Sequence, residues 1–481
     1  MANKVQDEAS QTWEYKAVPI MDDVEELGGY RPGGFAPVTI GDTLANRYQI
    51  VQKLGNGGNG IAWLCWDLTT QKWKAVKINS ASDSSEDCGD LKALKLMKDK
   101  NVTQMQLDAN HIMMASESFW EESANGRHLC TVMPVLGPRA NIWRAEALMQ
   151  DAERVKKMCY QITKGLSFLH KNGLCHGDFR PQNVLMKLKP GSLDDLTKDD
   201  MAKLLGEPKR ADLLPKSGKR TKHAPKYVIE AVPWERFREF VSDDAVIVDF
   251  GQSYTPDDPP LNFGIPLRYA APEVLFRKDR ADLAGDIWSL GITLLELRLD
   301  DYANNAILPV IRNMERFVGM LPIGYRYAAK RLLLNDGWKE LDRDADGKPD
   351  RSGRRKPLTG PVDVPIYEDE ERDFSSAIFS DGLTMKLASE QLVWSEVKDP
   401  ADPTGQARVR VPVTYFLPDE EVQELADLVR RMLKYNSKER ISASKALRHK
   451  WFKNQRPAWP IGHRRYNWAA GFLLMSILRG A

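Results

Sequence analysis

Cysteine is scarce in this chain, five in 481 residues. They stand at Cys65, Cys88, Cys130, Cys159 and Cys175, with no CxxC pair and no zinc-ligand spacing. A disulfide-stapled framework and a structural zinc site are therefore excluded, and buried thiols in a reducing compartment are expected. Cys175 is read as a core thiol and not as a nucleophile. Long apolar runs are also missing. No stretch reaches the ~18 apolar residues that a membrane span needs. The nearest, Trp468 to Leu478, is too short and reads as a packed helix or a weak membrane or partner contact. Met1 to Glu26 is polar and mixed in charge, with no secretory pattern. Charge of one sign is lacking too: the formal net charge of +2 argues neither for nucleic acid nor for an acidic partner. What is present is a soluble globular mixture, 42% apolar and 28% charged, long enough for two or more domains.

Residues before Asn46 have little periodicity and read as an extended lead-in. From Arg47 the pattern turns to strands: Tyr48-Gln49-Ile50-Val51, then Ile61 to Trp66, then Trp73 to Ile78, each bounded by turn residues. The first turn, Gly55-Asn56-Gly57-Gly58-Asn59-Gly60, has a GxGxxG spacing. In a dinucleotide fold those glycines open a helix; here a strand follows. That context suits a flap whose backbone amides approach nucleotide phosphates with no side chain in the way, and an ordinary glycine-rich hairpin is the plainer alternative. Leu54, Gly55, Gly57, Gly60, Ala62 and Ala75 are the candidate residues above the nucleotide. Lys77, on the third strand, could reach back under the flap to the phosphates. The Asp90–Lys98 segment reads as a helix, with Asp90 first and Glu86 second as the carboxylate that would hold the lysine. Leu129 to Met133 reads as a strand ending in a linker, where the Pro134 carbonyl and the Leu136 amide could bond an adenine edge. Met133 would line the back of that pocket or simply fill the core.

An apolar helical stripe from Asp151 to Asn172 delivers the chain to Cys175-His176-Gly177-Asp178-Phe179-Arg180-Pro181-Gln182-Asn183. This loop places a carboxylate at Asp178, a guanidinium at Arg180 and an amide at Asn183. Phosphoryl transfer needs such a set: an acceptor for a hydroxyl proton, a cation near the phosphate and an amide ligand for magnesium. A turn whose Asp and Asn cap backbone groups is the plainer reading of the loop alone. A polar, lysine-rich stretch of roughly fifty residues follows, with a short helix expected at Asp199–Leu205 and a basic cluster at Lys216–Lys222. Such an insertion is either functional or disordered, and the cluster is either a localisation signal or a solvated loop. Ala245 to Gly251 is a buried strand ending in Asp249-Phe250-Gly251, a second carboxylate for magnesium. Ala271-Pro272-Glu273, the apolar helix from Gly285 to Leu297 and Arg440 come later.

In this order and spacing the motifs resemble those of eukaryotic protein kinases, over roughly Arg47 to Phe452. The resemblance implies an α+β fold of two lobes, a small antiparallel β-sheet lobe and a large, mainly helical one, with ATP and Mg2+ between them. The divisions expected are a lead-in (1–46), an N-lobe (47–137), a C-lobe (138–454) with inserts at about 188–243 and 341–410, and a tail (455–481). It implies that Lys77 holds the α and β phosphates and that Asp178 is the base. Arg180 steadies the γ-phosphate, Asn183 and Asp249 ligate magnesium, Asp286 supports the catalytic loop, and Glu273 pairs with Arg440. Tyr30 to Asp42, Trp63 to Asp67 and Pro134 to Gly137 look like the SR-protein kinases, in particular their fungal branch. That likeness implies serine/threonine transfer to an Arg/Ser-rich protein substrate, a monomer, no direct nucleic acid, and cytoplasmic and nuclear residence. The Glu368–Glu371 cluster suits an arginine-rich substrate or is merely solvated. Gly177 stands where an arginine usually reads a phosphate on the activation loop, so phosphorylation there should be unnecessary. Pro266 replaces a threonine that normally contacts the catalytic aspartate. A small-molecule phosphotransferase and a pseudokinase scaffold are the competing readings.

Overall fold

Tyr48 to Asn79 carries three runs rich in aromatic and β-branched residues, and each becomes a strand. In the computed structural model, which describes residues 14–16, 18, 23–276, 281–299, 307–335, 382–389, 391–398 and 408–455, the first sheet has six strands. They are β1 (Thr43–Leu44), β2 (Tyr48–Gly57), β3 (Gly60–Asp67), β4 (Lys72–Asn79), β5 (Glu117–Ser123) and β6 (Gly126–Met133). Their order is β1-β2-β3-β4-β6-β5, and every pair is antiparallel. β2 and β3 form a hairpin closing at Gly57 opposite Gly60. The helix Gly89–Asp99 lies between β4 and β5 in sequence and carries Asp90 in its first turn.

After β6 the chain crosses to a larger, mainly helical body. A three-stranded sheet there has the order β11-β8-β7, from β7 (Leu136–Arg139), β8 (Val184–Leu188) and β11 (Val241–Ile247). The helix Ala152–Lys171 starts where the Asp151 carboxylate accepts the Glu153 amide at 2.9 Å, satisfying one otherwise unbonded first-turn donor. Its stripe of Val155, Met158, Cys159, Ile162, Leu166 and Leu169 is fully buried, as the periodicity predicts. The helix Leu283–Leu299 is buried almost all round, which fits its continuous apolar sequence.

The long stretch after β8 is ordered, with the basic cluster Lys216–Lys222 mostly exposed on it. Thr197 and Asp200 form a reciprocal cap that opens the helix Lys198–Leu205. β9 (Arg210–Asp212) pairs with β10 (Tyr227–Ile229). Met201, Leu205, Val232 and Phe237 pack on Leu64, Trp66 and Trp73 of the first sheet, and the Trp73 indole donates to the Leu196 carbonyl at 2.8 Å. On the other side Trp234 meets Trp143 edge to face at 5.6 Å, and Arg238 pairs with Glu146. The insert thus braces both lobes. The lead-in is likewise part of the core: Tyr30, Phe35, Ala36 and Leu44 are buried with Ile61 and Trp63.

Of the second insert, the described part is a helix, Gly382–Ala388, and a hairpin of β12 (Gln391–Lys398) with β13 (Arg408–Tyr415). The hairpin runs past the expected boundary near residue 410. The Glu368–Glu371 cluster and the Trp468–Leu478 stretch lie outside the described residues, as does the tail from 456 onward.

Candidate active site

Where the two bodies face each other, the β2–β3 hairpin forms the upper wall. Added side chains at Gly55, Gly57 and Gly58 would meet nothing within 4 Å, so these backbones border open space. Gly60, by contrast, sits against the Ile78 carbonyl with no room for a Cβ. Ala62 lies opposite Lys77, and Ala75 opposite Met133, in the strand registers. Met133 packs partly buried with Met113, Val246 and Val248, beside Leu136 and Leu185, and Pro134 between the lobes is exposed. Leu54 packs toward the cluster containing Val135 and Val232.

Lys77 Nζ donates to Asp249 Oδ1 at 2.7 Å. Burial works against the lysine's charge, but Asp249 and then Asp90 outweigh it and raise its pKa. Burial also works to raise Asp249, and Lys77 reverses this and holds the carboxylate below its ordinary value. The expected ion pair of Lys77 with a helix carboxylate is replaced by this one. Asp90 acts on the lysine through its charge, while its Oδ1 accepts the Phe250 amide at 3.1 Å. Glu86 points elsewhere and pairs with Arg127 at 3.0 Å. The reason is position: Asp90 lies in the first turn of its helix, beside the Asp249–Gly251 turn, and Gly89 touches the Phe250 and Gly251 carbonyls so closely that no Cβ fits. The Ser253 hydroxyl, bonded to the Gly89 carbonyl, closes the same contact.

Opposite lies the loop from His176 to Asn183. Asn183 Nδ2 donates to the Asp178 carbonyl at 2.8 Å and to Asp178 Oδ2 at 2.7 Å. Arg180 Nε reaches the same Oδ2 at 3.0 Å. The other oxygen, Asp178 Oδ1, is buried and has no bonding partner among the described residues. Burial raises the Asp178 pKa, and Arg180 and His176 oppose that rise. The loop backbone is fixed from beneath: Asp286 accepts the His176 amide at 2.7 Å and the Gly177 amide at 3.0 Å, and His170 Nε2 lies 3.0 Å from the same carboxylate. Gly177 has φ +78, and a Cβ there would overlap the Gln252 carbonyl oxygen. Only glycine suits both demands. Farther down, Arg440 donates two bonds to Glu273, at 2.7 and 2.6 Å, within the protein interior. Pro266 accepts the Tyr269 amide through its carbonyl at 2.9 Å.

A family model described as protein kinase domain matches residues 48–204. Over those residues the chain is similar to a protein kinase domain. The match takes in the glycine hairpin, Lys77, the linker between the lobes and the His176–Asn183 loop. SRSF protein kinase 3 of Homo sapiens is 33% identical over 170 residues, 34% of this chain and 30% of that protein. Serine/threonine-protein kinase SKY1 of Saccharomyces cerevisiae is 33% identical over 173 residues, 34% of this chain and 23% of its own. Protein kinase dsk1 of Schizosaccharomyces pombe is 27% identical over 180 residues, 36% and 32%. These relatives include an SRSF protein kinase and two fungal protein kinases. The matched part spans about 30% of the length of the first of these relatives. A crystal structure of a kinase domain aligns over 86% of this chain and 97% of its own, with 18% identity and a TM-score of 0.47. Among the described residues, no helix is long and apolar enough to cross a membrane.

Sequence reasoning did not single out Gly89, Ser253, His170 or Asn56 as parts of the site. A glycine in the first turn of a helix, where it weakens the helix, was the available signal for Gly89.

Proposed function

We propose that this chain is a serine/threonine protein kinase that transfers the γ-phosphate of Mg-ATP to hydroxyls of Arg/Ser-rich proteins. The observation that carries the reading is the unpartnered, buried Asp178 Oδ1, whose sister oxygen is held by Asn183 and Arg180. A fixed carboxylate with one oxygen left free is what a hydroxyl donor requires. The residues suit the nucleotide and its metal. Asn183 spends its amide hydrogens on Asp178, which leaves its carbonyl oxygen for magnesium. Asp249 supplies a carboxylate whose side chain is 38% exposed, beside Lys77. Bound Mg-ATP supplies a γ-phosphoryl group whose developing charge is neutralised by the metal.

In this reading the backbones of Gly55, Gly57 and Gly60 cover the phosphates, while Lys77 turns from Asp249 toward the α and β groups. Leu54, Ala62, Ala75 and Met133 border the adenine, with the Pro134 carbonyl and Leu136 amide at its edge. Asp178 orients the acceptor hydroxyl and takes its proton, and Arg180 steadies the γ-phosphate. Positioning and fixed charge supply most of the rate. Gly177, held directly by Asp286, leaves no arginine at that position to read a loop phosphate, so activity without activation-loop phosphorylation is part of the proposal. The likeness to SRSF protein kinase 3 supports the substrate class; residence in cytoplasm and nucleus and action as a monomer are our expectations. A second reading, a nucleotide-binding scaffold, is favoured by one observation: Lys77 pairs with Asp249 and not with a helix carboxylate.

The test is transfer of labelled γ-phosphate to an Arg-Ser repeat peptide, with an Arg-Ala peptide and choline as controls and Asp178→Ala as the inactive variant. Labelled serine in the Arg-Ser peptide alone supports the proposal. Labelled choline overturns it in favour of a small-molecule phosphotransferase. ATP binding without transfer to this or other basic proteins supports the scaffold.

A further inference from the structure

Asn56 lies between Gly55 and Gly57, and its side chain is committed. Its Nδ2 donates to both the Asp23 carbonyl, at 3.0 Å, and Asp23 Oδ1, at 2.9 Å. Asp23 belongs to the lead-in and holds a left-handed backbone, φ +51, a conformation that Asp tolerates better than most residues. Three residues earlier on β2, the fully buried Lys53 donates to the same Asp23 carbonyl at 3.1 Å, to the Glu25 carboxylate and to the Ile229 carbonyl at 3.2 Å. The Val232 amide of the insert bonds the Lys53 carbonyl at 2.9 Å. From across the cleft, Arg139, which follows the linker and precedes the helix Ala140–Gln150, donates to the Asn56 carbonyl at 3.2 Å.

From this arrangement we infer that Asp23 and Asn56 form a latch that sets the glycine flap in its closed position before nucleotide binds, with Lys53 as the anchor and Arg139 as the lower catch. The inference rests on the kinase reading for its consequence, not for its geometry. A glycine-rich hairpin has many accessible backbone states, and fixing it costs entropy when a ligand must do the ordering. Beyond the pairing of Gly55 and Gly57 with β3, glycines 55, 57 and 58 have no side chain to restrict them, and among the described residues nothing stands where one would be. The two bonds at Asn56 therefore do what glycine side chains cannot: they hold the strand at the one residue between the phosphate-facing amides. Asn56 and Asp23 are positioning residues; neither needs to touch the reacting atoms. The lead-in becomes a working part of the nucleotide site.

The experiment measures hydrogen exchange of residues 54–60 in the nucleotide-free full chain, together with KM for Mg-ATP and kcat. Asn56→Ala is expected to speed exchange in that segment about fivefold and to raise KM by a similar factor with kcat little changed. Bound ATP analogue should restore most of the protection. Asp23→Ala should act in the same direction, whereas Asp23→Asn, which keeps an acceptor and tolerates the left-handed backbone, should behave as the unaltered chain. Unchanged exchange at 54–60 in both Asn56→Ala and Asp23→Ala would overturn the latch, as would equal effects of Asp23→Asn and Asp23→Ala. Failure of the kinase reading looks different: no protection of 54–60 by ATP in the unaltered chain, whatever the variants do.

Discussion

Asp178 shows how a single carboxylate is tuned by its neighbours. Burial pushes its pKa up, and the Arg180 guanidinium is the largest influence pulling it back. The ionised form is the one that accepts a proton, so activity should fall as pH drops through this raised pKa, above the ~3.9 of an ordinary aspartate. Arg180→Met removes the cation and should move the acid limb of kcat/KM to still higher pH while lowering kcat. A limb that stays put or moves down would mean that Arg180 does not act on Asp178. At Gly177 the demand is steric. Gly177→Ala places a Cβ against the Gln252 carbonyl in a left-handed backbone, and the expected loss of stability is about 2–5 kcal/mol. Chemical denaturation would read it, and an unchanged midpoint would contradict the packing described.

At the scale of elements, the insert after β8 carries the clearest expectation. Trp73 is buried, 6% exposed, between the first sheet and the insert. Trp73→Ala should cost about 3–5 kcal/mol in urea unfolding; a loss below ~1 kcal/mol would show that the insert covers nothing of consequence. The elements themselves were mostly legible in the residues. The Asp151–Asn172 periodicity gave its helix, and the strand runs from Tyr48 to Ile78 gave β2 to β4. Lys77, Asp178, Asn183 and Asp249 could be singled out as candidates because each lies in a short, ordered motif, and the structure brings Lys77 to Asp249 and Asn183 to Asp178. The cover over β3 was not seen, because Leu193, Leu196, Met201, Leu205 and Phe237 are scattered among polar residues and show no period. One trace of it was there: Trp63-Leu64-Cys65-Trp66 is apolar on both faces of a strand, which signals a sheet covered on both sides. The role of Asp90 was missed for another reason, since its partner is a backbone amide 160 residues away and no side-chain pattern marks that.

Across the whole molecule, distant segments are joined by a few buried polar contacts. Glu273 and Arg440 are 167 residues apart and share two bonds in the interior. Glu273→Gln leaves a buried guanidinium without its countercharge, at a cost of about 3–5 kcal/mol. Hydrogen exchange should quicken together around residues 271–276 and 433–446; quickening in one segment alone would argue against the pair as a joint. The insert's placement also bears on how the chain is made. Much of the cover over Trp66 and Trp73 comes from residues as far on as Phe237, roughly 170 residues downstream of Trp66. At about 5–20 residues per second of synthesis, the first lobe emerges with two indoles bare for roughly ten to thirty seconds. During that interval Trp66 of β3 and Trp73 of β4 present an apolar face that the finished protein hides.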